Sequence, residues 1–463
     1  MSALLAFLAP ILVGFAVVAA LLRSPGATAA ERWLRATTAL AIGAALASTS
    51  HAAILFFGGS PDAARSTAKD MAFAAVAAVA AAALWRGRRG VPGAPPPPAK
   101  PTARVPALAL VAAAVACAAT VAVIVLRTRG TPDGDWDASG IWNLRARFLL
   151  RGGGDADVVF SKETFHADYP LLVPGLTATG WLYAGEAARW VPAGEGLFWA
   201  AILVGATAAA ACRLAGARAA CLGVLLLLGA PSVAKVASWQ YADVPTAAFL
   251  LLSVAWLALA FREPPRAAGP RLALAGLCVS LAAWTKNEGL AQALALSIAV
   301  AAFPPVGLAR GKALLSFAAG AAAFLAIAVG FKAGIGARND LLEKSDPAGL
   351  LSRVLDPGRY GVIASAFAQE VFRTSAWNLL FTLALLAPLC LRPEGSPRER
   401  RAVAAALSLV GLGYAGVYVL TPHDLAWHLD SSLHRLLLHV YPSLVLATVV
   451  WRGQPRWAGR LRT

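Results

Sequence analysis

The sequence predicts an all-α polytopic membrane protein with about thirteen transmembrane helices. Three observations lead there. Of the 463 residues, 59% are hydrophobic and 14% charged, whereas a soluble chain has about one quarter charged. Apolar runs of near-spanning length recur along the whole chain. The basic residues behind the net charge of +17 gather in short loops between those runs. That placement is what orientation in a bilayer requires, so the positive charge is assigned to the lipid bilayer and not to a nucleic-acid partner.

The runs fall at 3–22, 36–57, 71–86, 105–126, 195–212, 219–237, 243–261, 271–284, 288–303, 312–334, 376–391, 402–420 and 435–451. Those shorter than about 20 residues extend into their flanks. The first has no basic stretch before it and reads as a span, not a cleaved signal. Segment 86–104 (RGRRGVPGAPPPPAKPTAR) is strongly basic and is placed in the cytoplasm. Its proline-rich part, 91–104, reads as a stiff linker. Counting spans outward puts loops 23–35, 213–218, 262–271, 304–312 and 392–401 and the tail WRGQPRWAGRLRT on the same side. Each carries Arg or Lys. The N-terminus falls outside.

Loops 58–70, 127–194, 238–242, 285–287, 335–375 and 421–434 fall on the opposite side and hold nearly all the long polar segments. Segment 169–185 (YPLLVPGLTATGWLYAG) is apolar but broken by two prolines, and reads as re-entrant or interfacial. The organisation is a three-span bundle (1–90), the linker, a membrane core (105–334) that includes outer loop 127–194, an outer loop (335–375), and C-terminal spans with a basic tail (376–463). Cys117, Cys212, Cys221, Cys278 and Cys390 lie in or beside apolar runs without ligand spacing, as small packing residues do.

The outer loops carry the chemistry. In TPDGDWDASGIWNLRARFLLRGGG (131–154), Asp133, Asp135 and Asp137 precede a predicted helix over 138–150. Ile141, Leu144 and Phe148 share one face, and Asn143, Arg147 and Arg151 another. This predicts an amphipathic helix on the outer surface, its arginines available to lipid phosphates. Alone, Asp137 reads as an N-cap, with Asp133 and Asp135 in a solvated turn. The further motifs on the same side point to a site instead.

HADYPLLVPGL puts His166, Asp168 and Tyr169 ahead of a proline. SWQYADVPTAAFLLL puts Tyr241 before Asp243, at the start of a span, where an aspartate followed by proline also suits a helix start. WTKNEGL crowds Lys286, Asn287 and Glu288 between two spans. A polar turn with a Lys286–Glu288 pair and a functional site explain it equally well. TPHDLAWHLDSSLHRLLLHVYP holds His423, Asp424, His428, His434 and Arg435, with His439 deeper in the span. It lacks HxxxH or HExxH spacing, so an anion-binding surface of Arg435 and the histidines is favoured over a metal site. No metal ligand or certain cofactor is named; a divalent cation is compatible with the acids.

At these motifs the chain resembles the GT-C superfamily of polyprenyl-phosphate-sugar-dependent membrane glycosyltransferases, in its protein mannosyltransferase and aminoarabinose transferase branch. WDASGIW resembles the acidic motif of the first long outer loop and places it on Asp137. Many relatives have Asp-Glu there, where this chain has Asp137 and Ala138. HADYPLL resembles a basic-residue and proline motif, with His166 four residues before Pro170. YADVP resembles a Tyr-x-Asp-x-Pro motif and points to Asp243, and WTKNEGL resembles a Lys and Glu stretch of some relatives. The likeness covers roughly 105–300, and TPHDLAWHLDSSLHR is similar to the same subgroup.

The resemblance implies a GT-C-like architecture with extracytoplasmic juxtamembrane helices. It implies inverting transfer of a sugar from a polyprenyl-phosphate donor to a glycan, lipid or protein acceptor of the cell envelope. The site would face outward from the inner (plasma) membrane. Asp137 is then the base, since a hydroxyl is a poor nucleophile until its proton is taken. Asp243 holds sugar hydroxyls or orients a cation. The leaving phosphate needs fixed cations, for which Arg145, Arg147, Lys286, His428 and Arg435 are the candidates. Asp135, Trp142, His166, Tyr169, Tyr241, Glu288 and His423 complete the expected substrate-binding set. Arg338, Asp340, Lys344 and Asp346 in loop 335–375 recognise the acceptor or belong to a mere cover. Two other classes stand beside this one. A transporter or flippase expects charges near the bilayer midplane and inverted repeats, and a scaffold subunit expects no chemistry at all.

Overall fold

Among the described residues, each apolar run marked in the sequence falls mostly in helix. The structure, a computed structural model, describes residues 2–22, 27–64, 67–88, 105–336, 347–390 and 396–451, and these contain no β-strand. The main helices are α1 (Ser2–Leu21), α2 (Ala29–Phe56), α3 (Thr67–Arg88), α4 (Ala107–Gly130), α5 (Asn143–Arg151), α6 (Leu172–Ala184), α7 (Trp190–Ala215), α8 (Ala217–Gly229), α9 (Pro231–Ser238), α10 (Asp243–Ala260), α11 (Pro265–Thr285), α12 (Glu288–Ala302), α13 (Arg310–Ile335), α14 (Pro347–Leu355), α15 (Pro357–Val371), α16 (Leu380–Cys390), α17 (Pro397–Leu420) and α18 (Leu425–Val450). Eight of these described helices are long and apolar enough to cross a membrane: α2, α4, α7, α10, α11, α13, α17 and α18. The pair α8 and α9 makes a ninth if counted as one span. The protein is a multi-pass membrane protein.

Three segments depart from the expected spans. Run 219–237 is bent by 63° between α8 and α9. Pro231 opens α9 there, and a proline can neither donate to the preceding turn nor fit against it. Run 376–391 starts its long helix only at Leu380, because Asn378 and Leu379 take positive φ (47° and 60°). Asn378 Nδ2 donates to Gly229 O at 3.0 Å, which fastens this corner to the bend after α8. Segment 335–375 is more than a loop, since α14 and α15 fold within it and α15 packs on α17 and α18. Arg338, Asp340, Lys344 and Asp346, linker 91–104 and the tail beyond residue 451 lie outside the described residues.

Segment 169–185 forms the 13-residue α6. At 1.5 Å per residue that is about 20 Å, short of a bilayer core of about 30 Å. It packs on α2 and α5, and Ser48 Oγ donates to Leu172 O at 2.6 Å.

α10 is the axis of the bundle. All 18 of its residues are buried, against α7, α11 and α18 among others. α11 and α13 approach so closely that a Cβ on Gly276 or Gly320 would strike the main chain of the opposing helix. Small residues allow such contact where lipid gives helices no hydrophobic reason to associate.

The two ends of α10 differ. Beyond its C-terminus, Arg262 clasps Glu399 at 2.8–3.1 Å. Nearby, Glu31 binds Arg35, Arg213 and Arg271 at 2.7, 3.2 and 3.1 Å. At its N-terminus sits Asp243, and around it gather the outer-loop motifs.

Candidate active site

Residues 131–137 are sewn to the corner between α9 and α10. Gln240 Nε2 donates to Pro132 O at 3.2 Å, the Asp135 amide donates to Trp239 O at 3.3 Å, and Asn143 Nδ2 donates to Gln240 Oε1 at 2.8 Å. Gly134 makes the turn at φ 80°, where a Cβ would meet Ala138 and Trp239 O. The Asp137 amide then donates to the Tyr241 hydroxyl at 3.1 Å. Residues 138–142 form a π-helical turn that runs into α5, a distortion often found at functional sites.

The Asp137 side chain makes no capping hydrogen bond, so the cap reading gives way. Its carboxylate forms an ion pair with Arg435, from a point 298 residues further along the chain. The Arg435 guanidinium lies 5.2 Å from the Tyr241 ring centroid. Burial first, and then the Asp137 charge, push the Tyr241 phenol above its usual range, so it stays neutral.

Asp243 is fully buried and likewise caps nothing. Its Oδ1 accepts from Lys286 Nζ at 2.8 Å and faces His439 Nε2 at 3.0 Å. Lys286 also pairs with Glu288 at 3.0 Å, so the turn pair exists and is joined to Asp243. Burial alone would lower the Lys286 ammonium, but Asp243 and then Glu288 hold it above the usual lysine range.

HADYP forms the wall beside them. The Tyr169 ring stacks on Trp142 (centroids 5.4 Å apart) and on His166 (4.7 Å). His166 takes φ 52°, in the left-handed region. Asp168 Oδ2 accepts from Asn287 Nδ2 at 2.6 Å, and Lys332 Nζ donates to Asp168 O at 2.6 Å and to Asn287 Oδ1.

Several predicted residues stand elsewhere than expected. Arg145 is buried and donates to the carbonyls of Tyr169 (2.7 Å) and Ala167 (3.3 Å). Burial pushes its guanidinium down to about 10, still charged at neutral pH. It braces the HADYP wall and is not placed to meet a phosphate. Arg147 pairs with Asp133 at 3.1 Å and lies 5.6 Å from the Trp181 ring centroid. Arg151 binds Glu186 at 2.7 Å. The polar face of α5 therefore meets protein carboxylates where lipid phosphates were expected.

Asp135 is exposed and accepts from the Trp136 amide at 2.9 Å. On α18, His428 shares the face of Arg435 and His439, and its Nδ1 lies 2.9 Å from Thr421 Oγ1. The His423 ring sits 5.9 Å from that of His428, further out. Asp424 caps α18 through the Trp427 amide (2.8 Å). Lys332 was missed, although a lone lysine in an apolar run is a signal by itself. Gln240, Gln292 and Tyr414 gave no signal beyond being polar. Among the described residues, no three His, Cys, Asp or Glu side chains converge as a metal set.

Among solved structures the chain is similar to ArnT from Cupriavidus metallidurans bound to undecaprenyl phosphate, with a TM-score of 0.50 and 19% identity. The match covers 72% of this chain and 59% of that one. The fold is GT-C-like. No family model and no curated protein matches the sequence. Within the GT-C-like bundle, the cluster around Asp137, Asp243, Lys286 and Arg435 lies at the end where α10 and α12 begin.

Proposed function

We propose that the chain is an inverting glycosyltransferase that moves a sugar from a polyprenyl-phosphate donor to an acceptor hydroxyl at the extracytoplasmic face of the inner membrane. The observation that carries this reading is the Asp137–Arg435 ion pair beside Tyr241, set next to the buried Lys286–Asp243 pair. It couples a carboxylate able to take a proton with two cations able to meet a phosphate. The undecaprenyl phosphate named with the similar structure supports a polyprenyl-phosphate donor. The basic loops on the far side support the outward orientation.

In the reaction the acceptor oxygen attacks the anomeric carbon and the bond to the donor phosphate breaks. The acceptor proton passes to Asp137, and the phosphate leaves with the bonding pair. Arg435 holds Asp137 in the resting chain. A donor phosphate competes for that guanidinium with two oxygens in bidentate geometry, and so frees Asp137 to act as base. Lys286 and Arg435 then face the leaving group with orientation already set by the fold. Tyr241, neutral and bonded to the Asp137 amide, fixes the position of the base.

The test is native mass spectrometry of the purified chain with undecaprenyl phosphate, followed by transfer assays with polyprenyl-phosphate sugars. Arg435→Ala should weaken lipid binding. Asp137→Asn should keep it and lower transfer by about 10²-fold or more. If folded protein binds no polyprenyl phosphate, the transporter or scaffold class takes its place. Wild-type transfer by Asp137→Asn would remove Asp137 as base.

A further inference from the structure

Behind Asp243 runs a line of buried hydrogen bonds that the proposed chemistry does not use. Gln292 Nε2 donates to the Tyr414 hydroxyl at 2.8 Å. That hydroxyl faces His439 Nδ1 at 3.0 Å, and His439 Nε2 faces Asp243 Oδ1 at 3.0 Å. The four side chains come from α12, α17, α18 and α10, and each is fully excluded from solvent.

The direction of the line is set by its near end. An ionised Asp243 only accepts, so His439 Nε2 donates to it, and in the neutral ring Nδ1 then accepts from the Tyr414 hydroxyl. Gln292 Nε2 in turn donates to the Tyr414 oxygen. Asp243 Oδ1 thus takes two donors, His439 and Lys286, while its buried Oδ2 takes none. Arg435 lies near enough for its charge to act on Asp243, and its buried Nε is likewise without a partner. Glu288 and Lys286 are the other charged groups whose fields reach this cluster.

We propose that His439, backed by Tyr414 and Gln292, is a positioning residue that fixes Asp243 as the counter-charge of Lys286, beside the Asp137–Arg435 pair. Held by His439, Asp243 keeps its Oδ1 on Lys286 and cannot turn away, so the ammonium keeps the position in which it meets a lipid phosphate. Hydrogen-bonded residues behind the ligands of metal sites contribute about 10–100-fold to affinity or activity, and a loss on that scale is expected here. The inference rests on the reading of this site as a lipid-phosphate site.

The experiment has two arms on the full chain in lipid nanodiscs, with thermal unfolding as the fold control. The first is ¹⁵N NMR of the six histidines, with His439 assigned by its loss in His439→Gln. The expected signature is a neutral ring with the proton on Nε2, lost or mixed with the other tautomer in Tyr414→Phe. The second is the affinity for undecaprenyl phosphate. His439→Ala should weaken it about 10-fold or more, and Tyr414→Phe should weaken it less. His439→Gln, whose amide can still donate to Asp243, should restore most of it. An imidazolium, or a proton on Nδ1 in the parent chain, would overturn the inference. So would folded variants that bind as the parent does. If the parent itself binds no undecaprenyl phosphate, the lipid-phosphate reading and the positioning role fall together. The tautomer arm then still reports whether the line of bonds exists.

Discussion

Lys286→Met should be among the most damaging conservative-volume changes in this protein. The ammonium is 4% exposed and lies 2.8 Å from Asp243 and 3.0 Å from Glu288. At an effective dielectric of about 20, each contact is worth about 6 kcal/mol of gross Coulomb energy. Most of that is offset by taking the ions out of water, which costs several kcal/mol per ion. Removing the lysine does not recover that cost, because Asp243 and Glu288 stay behind as buried like charges. The net loss is therefore about 3–5 kcal/mol, the usual result of breaking a buried pair from one side. Removing Asp243 as well should be milder, since only Glu288 then lacks its counter-ion. The assay is thermal unfolding of the purified chain in detergent, with the parent, Lys286→Met, Asp243→Asn and the double variant side by side. The parent should unfold last, the double variant next, and Lys286→Met first. A Lys286→Met midpoint equal to the parent's, or a double variant no better than Lys286→Met, would refute the argument that this lysine neutralises both acids.

Two further predictions concern parts of the fold away from the site. Gly320→Val puts a branched side chain where even a Cβ strikes the Ala273 main chain, so α11 and α13 must separate; the yield of folded protein after detergent extraction should collapse. Glu399→Gln weakens the clasp on Arg262, which is 26% exposed, and the Trp451 bond at 3.1 Å. It should lower stability by about 1–3 kcal/mol and leave undecaprenyl phosphate binding unchanged. A binding defect in Glu399→Gln would show that the two ends of the bundle are coupled.

The helices were legible because lipid permits few alternatives. A chain that is 59% hydrophobic must satisfy its backbone internally, and apolar length alone then marks each helix. Pro231 was a readable break inside run 219–237 that the apolar count passed over; Leu379 at φ 60° gave no such sign, since nothing in a leucine announces positive φ. Asp137 and Asp243 were singled out because short motifs flanked them. Their partners were not fixed by those motifs. A carboxylate before a helix is as good a cap as a base, and what draws this one away from the cap is Arg435, which the chain supplies 298 residues later. The arginines of α5 failed for a related reason. Helical periodicity places Arg147 and Arg151 on a polar face, yet it cannot tell a face turned to lipid phosphate from one turned to Asp133 and Glu186.

The two charged ends of the bundle separate by how completely their acids are used. At the end beyond the C-terminus of α10, Glu31 and Glu399 each accept with both carboxylate oxygens, and arginines supply the donors. In such pairs both carboxylate oxygens are already engaged, as suits residues that hold helices together. At the other end, Asp243 Oδ2 and Glu288 Oε2 are buried without a donor although cations stand beside both residues. Leaving a buried carboxylate oxygen unpaired costs about 1–3 kcal/mol or more. A purely structural cluster gains nothing from that cost, because apolar residues of similar volume would hold the same helices as well or better. In the proposed reaction the hydroxyls of the donor sugar would supply the donors that these oxygens lack.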